Sequence, residues 1–251
     1  MSRSTVIRLL CLIALPAALA AVFLSLPPSA QSTAAPVSKG YLALTFDDGP
    51  WPDFTEPLLD GLAERGVKAT FFLIGAQVGQ FPETVKREAA EGHQVGLHTW
   101  DHLALAGQSR ETIERQISSC LGCLRDLLGP ESFMLRPPYG FTDKTLQDCA
   151  GMPIIHWSVD TEDWKDRNAA RIVSEAVASV KDGDILLMHD SFDTSVTAAL
   201  QIVDALLAEG YRFVTVEDLF ALRGITPENG VVYSALPPAP SAQRRRKGRA
   251  V

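Results

Sequence analysis

Tyr41-Leu42-Ala43-Leu44-Thr45-Phe46 runs directly into Asp47-Asp48-Gly49-Pro50. The six-residue run has no regular polar alternation, as a strand buried on both faces requires, and Asp, Gly and Pro are the residues that end strands in turns. The same kind of run recurs at 68 to 74 (KATFFLI), 93 to 98 (HQVGLH), 131 to 136 (ESFMLR), 153 to 159 (PIIHWSV), 184 to 189 (DILLMH) and 211 to 216 (YRFVTV). Between these runs, apolar residues fall at helical spacing over 55 to 64, 82 to 91, 110 to 128, 143 to 150, 169 to 180 and 196 to 209, with a last short segment at 217 to 222. Several of the segments end at a glycine, such as Gly66, Gly92 or Gly210, in the place of a C-cap. Strand and helix alternating in this way predict an α/β fold with a parallel sheet covered by helices, and seven units favour a (β/α)7-type barrel in a single domain. No G-x-G-x-x-G follows the first strand, which removes a dinucleotide-binding reading.

The 251 residues, 46% hydrophobic and 21% charged, are enough for one substantial core. Charge is uneven along the chain. Arg3, Arg8, Arg244, Arg245, Arg246, Lys247 and Arg249 lie at the ends, and setting these seven aside leaves 16 basic against 30 acidic groups, a net of −14 for the body. So acidic a body does not suit nucleic acid, whose phosphates need a basic face. The basic run RRRKGR reads as a solvated tail.

Residues 1–30 read as an export segment: Arg3 and Arg8, then an apolar run from Leu9 to Leu26 broken by Pro16. The run fits a cleaved signal peptide or an uncleaved membrane anchor, and either places the rest of the chain across a membrane, in a periplasmic, cell-envelope or secreted location. A small, polar linker follows over 31–39, the domain is expected over 40–225, and a Pro/Ala/Arg-rich tail over 226–251, with disorder expected beyond Leu236. Of the four cysteines, Cys120, Cys123 and Cys149 fall in the exported part. The C-x-x-C of Cys120 and Cys123 lies inside a helical pattern, which argues against a redox pair, and either could bridge Cys149.

Chemistry gathers where the strands end. Asp47-Asp48 follow the first strand, and His98 and His102 bracket the turn after the third. Arg136-Pro137-Pro138-Tyr139-Gly140 follows the fourth, Asp160 to Trp164 the fifth, and His189-Asp190 the sixth. In parallel barrels this end of the strands carries the active site. Two histidines four apart can grip one metal ion from a helical turn. Thr99 stands where H-E-x-x-H metalloproteases carry their glutamate, so the base must come from elsewhere, and the Asp47-Asp48 pair is the available source. One of its carboxylates can bind metal while the other takes a proton from the attacking water. Taken singly, D-D-G-P is a turn, H-x-x-x-H is more often structural than metal-binding, and Trp100, Trp157 and Trp164 are packing residues. Their joint occurrence after five strands is what points to a site. His93 and His156 lie within strand runs and read as hydrogen-bonded structural histidines.

In this order, T-F-D-D-G-P, H-T-x-x-H, R-P-P-Y-G, D-x-x-D-W and L-x-H resemble the five motifs of the polysaccharide deacetylases, the NodB-homology group also classed as carbohydrate esterase family 4. The resemblance runs from about Tyr41 to Val216. It implies a distorted barrel and a metal-dependent hydrolase that removes N-acetyl or O-acetyl groups from N-acetylglucosamine-type glycans such as peptidoglycan or chitooligosaccharide. By resemblance Asp48, His98 and His102 hold a divalent metal, zinc before cobalt, manganese or nickel. Asp47 is the general base, with Arg136 beside it, and His189 the general acid, oriented by Asp163; Asp160 opens the same motif. The backbone N–H of Tyr139, with Pro138 next to it, serves the oxyanion, and Trp164 lines the acetyl groove. The implied partner is an acetylated glycan, with membrane association possible through the N-terminal segment and no protein partner expected. A barrel that binds glycan without turnover and an amidohydrolase of small cyclic amides remain as alternatives.

Overall fold

The computed structural model describes residues 38–238; the expected export segment, the linker up to Val37 and the tail from 239 onward lie outside the described residues. The strands are β1 (Gly40–Asp47), β2 (Thr70–Leu73), β3 (Gln94–Leu97), β4 (Ile154–Ile155), β5 (Val159–Asp160), β6 (Ile185–His189), β7 (Tyr211–Val214) and β8 (Val232–Tyr233). Every ladder between them is parallel. β1 is the hub. It pairs along one edge with β6, from Ala43↔Ile185 to Asp47↔His189, and along the other with β2 above (Thr45↔Thr70 to Asp47↔Phe72) and β7 below (Gly40↔Tyr211 to Ala43↔Val214). β3 extends the sheet beyond β2, and β5 beyond β6. Single bridges then carry it from Leu97 to Leu135 and from Leu135 to Ile154, and β4 pairs with β8. The result is the expected α/β architecture, a curled parallel sheet consistent with a distorted barrel; among the described residues no ladder joins β4 to β5.

Three expectations change. The strand predicted over 131 to 136 contracts to one bridging residue, Leu135. The run 153 to 159 splits into β4 and β5 because His156 N–H bonds Tyr233 while Ser158 N–H bonds Ile185, which sends the two halves to different neighbours. The tail does not begin at 226: β8 pairs with β4, Ala235 bridges Asp184, and Leu236 is buried with its N–H on the Gly183 carbonyl at 2.8 Å.

The helices are α1 (Pro52–Glu64), α2 (Gly75–Gln80), α3 (Pro82–Ala90), α4 (Arg110–Leu128), α5 (Lys144–Cys149), α6 (Asp163–Asp166), α7 (Ala169–Ser179), α8 (Asp193–Ala208) and α9 (Val216–Arg223). Their starts follow from capping chemistry. Proline stands in the first turn of α1 and α3, and Ser109, Asp143, Asn168 and Thr215 accept backbone N–H bonds at the starts of α4, α5, α7 and α9. α4 buries Ile113, Gln116, Ile117, Cys120 and Leu124, the spacing of a single face. Cys120, Cys123 and Cys149 are all free, so the expected option of a bridge to Cys149 is not realised.

Strand alternation sorts the core in two. Leu42, Leu44, Phe46, Phe71 and Leu73 point outward to the helices, in one cluster with Leu58, Ile117 and Ile202. Ala43, Phe72, Met134, Ile155 and Ile185 point inward and pack with Val216, Leu219 and Phe220 of α9 and with Leu236, which close the lower end. Because side chains repeat every second residue, the inward set continues upward as Thr45 and Asp47 on β1, His98 after β3, Arg136 after the Leu135 bridge, and Leu187 and His189 on β6. The packed lower barrel thus becomes polar at its carboxyl end without any break in the pattern.

Candidate active site

The carboxyl-end loops surround a cavity of about 370 Å³ lined by Asp47, Asp48, His98, His102, Tyr139, Trp157, Asp160, Trp164, Leu187, His189, Ser191 and Phe192. Seven of the ten residues expected from sequence line it. Arg136, Asp163 and Pro138 lie behind its walls, and Pro138 is buried under the turn that exposes Tyr139.

The loops take unusual backbone to do this. Asp48 (φ 74°), Thr99 (66°), His102 (63°) and Tyr139 (63°) occupy the left-handed region, four of the six non-glycine residues that do so among the described residues. Such conformations cost about 1–3 kcal/mol each and collect where a side chain must be aimed. Here they aim Asp48 and His102 at one point. Asp48 Oδ1 lies 3.2 Å from His102 Nε2 and 3.4 Å from His98 Nε2, and one ligand atom from each residue lies within 4.8 Å of the others.

These donors fit a divalent cation. His98 Nδ1 is engaged with the Arg136 carbonyl at 2.7 Å, so that nitrogen carries the proton and Nε2 presents a lone pair. Asp48 Oδ1 is buried and has no hydrogen-bond donor. Burial by itself pushes the Asp48 carboxyl up, but the imidazoles of His102 and His98 hold it below the usual carboxylate range. Ligands placed tetrahedrally about 2.0–2.1 Å from zinc are separated by about 3.3 Å, which matches the two spacings above.

On one flank, Asp47 is almost fully buried, with Oδ1 accepting from Arg136 Nη1 at 2.8 Å and Oδ2 lying 3.8 Å from His98 Nε2. Arg136 is completely buried. Its Nη1 also donates to Thr45 Oγ1 at 2.7 Å, Nη2 to the His156 carbonyl at 2.9 Å and Nε to the Ile155 carbonyl at 3.2 Å, while the guanidinium lies 4.2 Å from the Phe72 ring centre. Burial lowers the Arg136 pKa and Asp47 opposes that; guanidinium is so basic that it stays charged. On the other flank, the fully buried Asp163 accepts from His189 twice, from Nδ1 and from the backbone N–H, both at 2.8 Å. Burial disfavours the His189 cation, but Asp163, then Asp47 and Asp48, raise its pKa to about 9. Tyr139 is 60% exposed and sets its ring against His102, with centroids 4.9 Å apart; Trp164 is 52% exposed at the rim.

Sequence reasoning missed Leu187, Ser191 and Phe192 in the lining, Thr45 behind Arg136, and a buried brace beneath the site. In that brace Trp51 N–H donates to Thr55 Oγ1 at 2.8 Å and the Thr55 hydroxyl donates to Asp190, whose carboxyl burial pushes up to about 7. Asp190 was visible as the residue after His189, but nothing in the sequence tied it to Thr55. The glycine at 49 is what leaves room for it: a Cβ there would come within 2.8 Å of both Asp190 carboxylate oxygens. His93 and His156 stay outside the cluster as expected, and Ala69 N–H donates to His93 Nδ1 at 3.0 Å.

A parallel barrel that gathers three carboxylates and three imidazoles in one aromatic-rimmed cleft at the carboxyl ends of its strands has the layout of a barrel enzyme's active site. A polysaccharide deacetylase family profile matches residues 34–152. The chain is 44% identical over 197 residues to a peptidoglycan-N-acetylglucosamine deacetylase of Listeria monocytogenes, covering 78% of this chain and 42% of the relative. It is 39% identical over 186 residues to a chitooligosaccharide deacetylase of Sinorhizobium fredii, covering 67% of this chain and 86% of that one. Among solved structures, a family 4 acetyl xylan esterase from Clostridium thermocellum in complex with cobalt superposes with a TM-score of 0.75 at 30% identity, over 78% of this chain and 99% of the other. This chain belongs to the polysaccharide deacetylase family. It spans about two fifths of the length of the Listeria relative.

Proposed function

We propose that the protein is an exported, metal-dependent deacetylase that hydrolyses N-acetyl groups of N-acetylglucosamine-type glycans, peptidoglycan or chitooligosaccharide. The observation that carries this reading is the convergence of the Asp48, His98 and His102 ligand atoms within 4.8 Å, flanked by the Asp47–Arg136 and His189–Asp163 pairs. A divalent cation held by those three residues, zinc by the chemistry of the donors, would polarise the acetamide carbonyl and make an adjacent water more acidic.

The chain's own groups supply the rest. Asp47 takes a proton from the attacking water; the Arg136 hydrogen bond fixes which Asp47 oxygen remains free to do so. His189, with Nδ1 committed to Asp163, directs Nε2 toward the cleft and delivers its proton to the nitrogen of the departing sugar amine. Without that proton the amine is too poor a leaving group for the C–N bond to break. The Tyr139 backbone N–H donates to the developing oxyanion, Pro138 fixes the turn that carries it, and Trp164 and Leu187 enclose the acetyl methyl. The same apparatus handles an O-acetyl ester, and the likeness to an acetyl xylan esterase keeps that substrate within the proposal.

The test is acetate release by the purified protein from peptidoglycan, chitooligosaccharide and acetylated xylan, after chelation and again after adding back zinc, cobalt, manganese or nickel. Activity on the amide glycans that is lost on chelation and restored by metal is expected. Glycan binding without acetate release under every metal would reject the enzyme reading.

A further inference from the structure

Building on the metal site proposed above, we propose that Gln116 on α4 is a positioning residue for the cation: its carboxamide holds the turn that aims His102, and so sets how tightly Asp48, His98 and His102 retain a divalent ion. The two histidines are not fixed in the same way. His98 is buried and its Nδ1 is engaged with the Arg136 carbonyl at 2.7 Å, so its own ring is held. The His102 side chain is 28% exposed, and among the described residues the one polar group against its ring is Asp48 Oδ1, at 3.2 Å. Where that ring points therefore depends on the main chain that carries it.

That main chain needs support from outside. Thr99 and His102 both sit in the left-handed region, at φ 66° and 63°, which residues with a Cβ hold only where their neighbours over-determine them. Gln116 takes up two of the turn's N–H groups: Oε1 accepts from Trp100 N–H at 2.9 Å and from Asp101 N–H at 3.3 Å, while Nε2 donates to Asp101 Oδ1 at 2.8 Å. The two ends of the amide are not interchangeable, because the main-chain N–H groups need an acceptor and the carboxylate needs a donor. The turn's carbonyls are met from α2, that of Thr99 by Gly75 N–H and that of Trp100 by Ala76 N–H, both at 2.9 Å. Gly75 permits this approach, since a Cβ there would come within 2.7 Å of the Trp100 ring and 3.1 Å of Cys120 Cβ, one helical turn beyond Gln116. Gln116 is only 6% exposed and does not line the cleft, so it acts through the turn alone. Groups that orient metal ligands from behind typically change metal affinity by about 10- to 100-fold when they are removed.

The experiment measures the zinc dissociation constant of the purified protein by competition with a chromophoric chelator, alongside thermal melts in excess zinc. Gln116→Met keeps the length of the side chain and removes all three bonds, and should weaken zinc binding by about 10- to 100-fold. Gln116→Glu keeps an acceptor for both N–H groups but turns an oxygen toward Asp101, and should weaken zinc as well; combining it with Asp101→Asn returns a donor to that contact and should restore most of the affinity. Leu124→Ala, a buried site on the same helix, should lower the melting temperature without moving zinc affinity. Unchanged zinc affinity in Gln116→Met would overturn the positioning role while leaving the metal site in place. So would a Gln116→Glu defect that Asp101→Asn does not repair, or a loss of zinc affinity in Leu124→Ala as large as that in Gln116→Met. If Gln116→Met does not fold, the comparison of Gln116→Glu with the double substitution carries the test. A parent protein that binds no zinc would overturn the metal site and this inference together.

Discussion

Replacing Asp163 with asparagine isolates the electrostatic work of the His189–Asp163 pair. Asparagine keeps the size of the side chain but removes its charge, and it offers one acceptor where the carboxylate accepts from both Nδ1 and the backbone N–H of His189. The His189 pKa stands at about 9 against an ordinary 6.5, a gap of about 3 kcal/mol in favour of the protonated ring, and burial alone works in the opposite direction. The Asp163→Asn ring should therefore titrate at or below 6.5. At pH 8 its protonated fraction falls from about nine tenths to about 3%, a loss of about 30-fold in competent acid, whereas near pH 5.5 the protonation difference is small. The sign for stability follows from the raised pKa: the pair's contribution is fully present below about 6.5 and fades as pH rises through about 9. The assay is the pH profile of kcat/KM for acetate release at fixed metal, with the alkaline limb of the variant compared with that of the parent. An unmoved limb would refute the assignment of His189 as the acid poised by Asp163.

Three further outcomes are expected. His102→Ala should lose bound metal by direct elemental assay along with activity, because only Asp48 and His98 remain to hold the ion; full metal content with full activity would remove this residue from the ligand set. Arg136→Met should lower unfolding free energy by about 3–5 kcal/mol, since it leaves Asp47 buried without its partner, and denaturant melts measure this directly. Glu88 on α3 is fully buried, has no hydrogen-bond partner on either carboxyl oxygen, and is pushed well above the carboxylate range by burial. Its ionisation opposes folding as pH rises above its unfolded value, so Glu88→Met should stabilise the protein by about 1–3 kcal/mol at pH 7 and by less at pH 4, as read from thermal melts across pH.

The parts of the site carried by regular elements were legible in the sequence. Asp47 and His189 end strands that lack regular polar alternation, and His98 follows a strand, so the carboxyl-end rule placed all three at one end of the sheet. Arg136 was also found, although its strand was not a strand: Leu135 alone bridges its neighbours, and the two prolines that follow cannot donate to a ladder. Less legible were features that depend on one side chain meeting another far along the chain. Thr45 supports Arg136 across 91 positions and Thr55 meets Asp190 across 135, and neither residue type announces such a partner. β8, with two residues, is shorter than any hydrophobic period can reveal, and it falls in the Pro/Ala/Arg-rich stretch that reads as tail. Trp51 carries no signal of its own in the sequence, and only the hydrogen bond from its N–H to Thr55 links it to the brace beneath the site.

In the β1–β6 ladder, Asp47 stands directly opposite His189. Neighbouring strands lie about 4.8 Å apart wherever they pair, so the spacing between the attachment points of these two side chains, the base and the acid of the proposed mechanism, is inherited from the main chain. Mutations that lengthen, shorten or recolour the surrounding loops can therefore reshape the mouth of the cleft without disturbing that gauge. Variation of the rim and constancy of the paired groups are thereby separated within one short pair of strands.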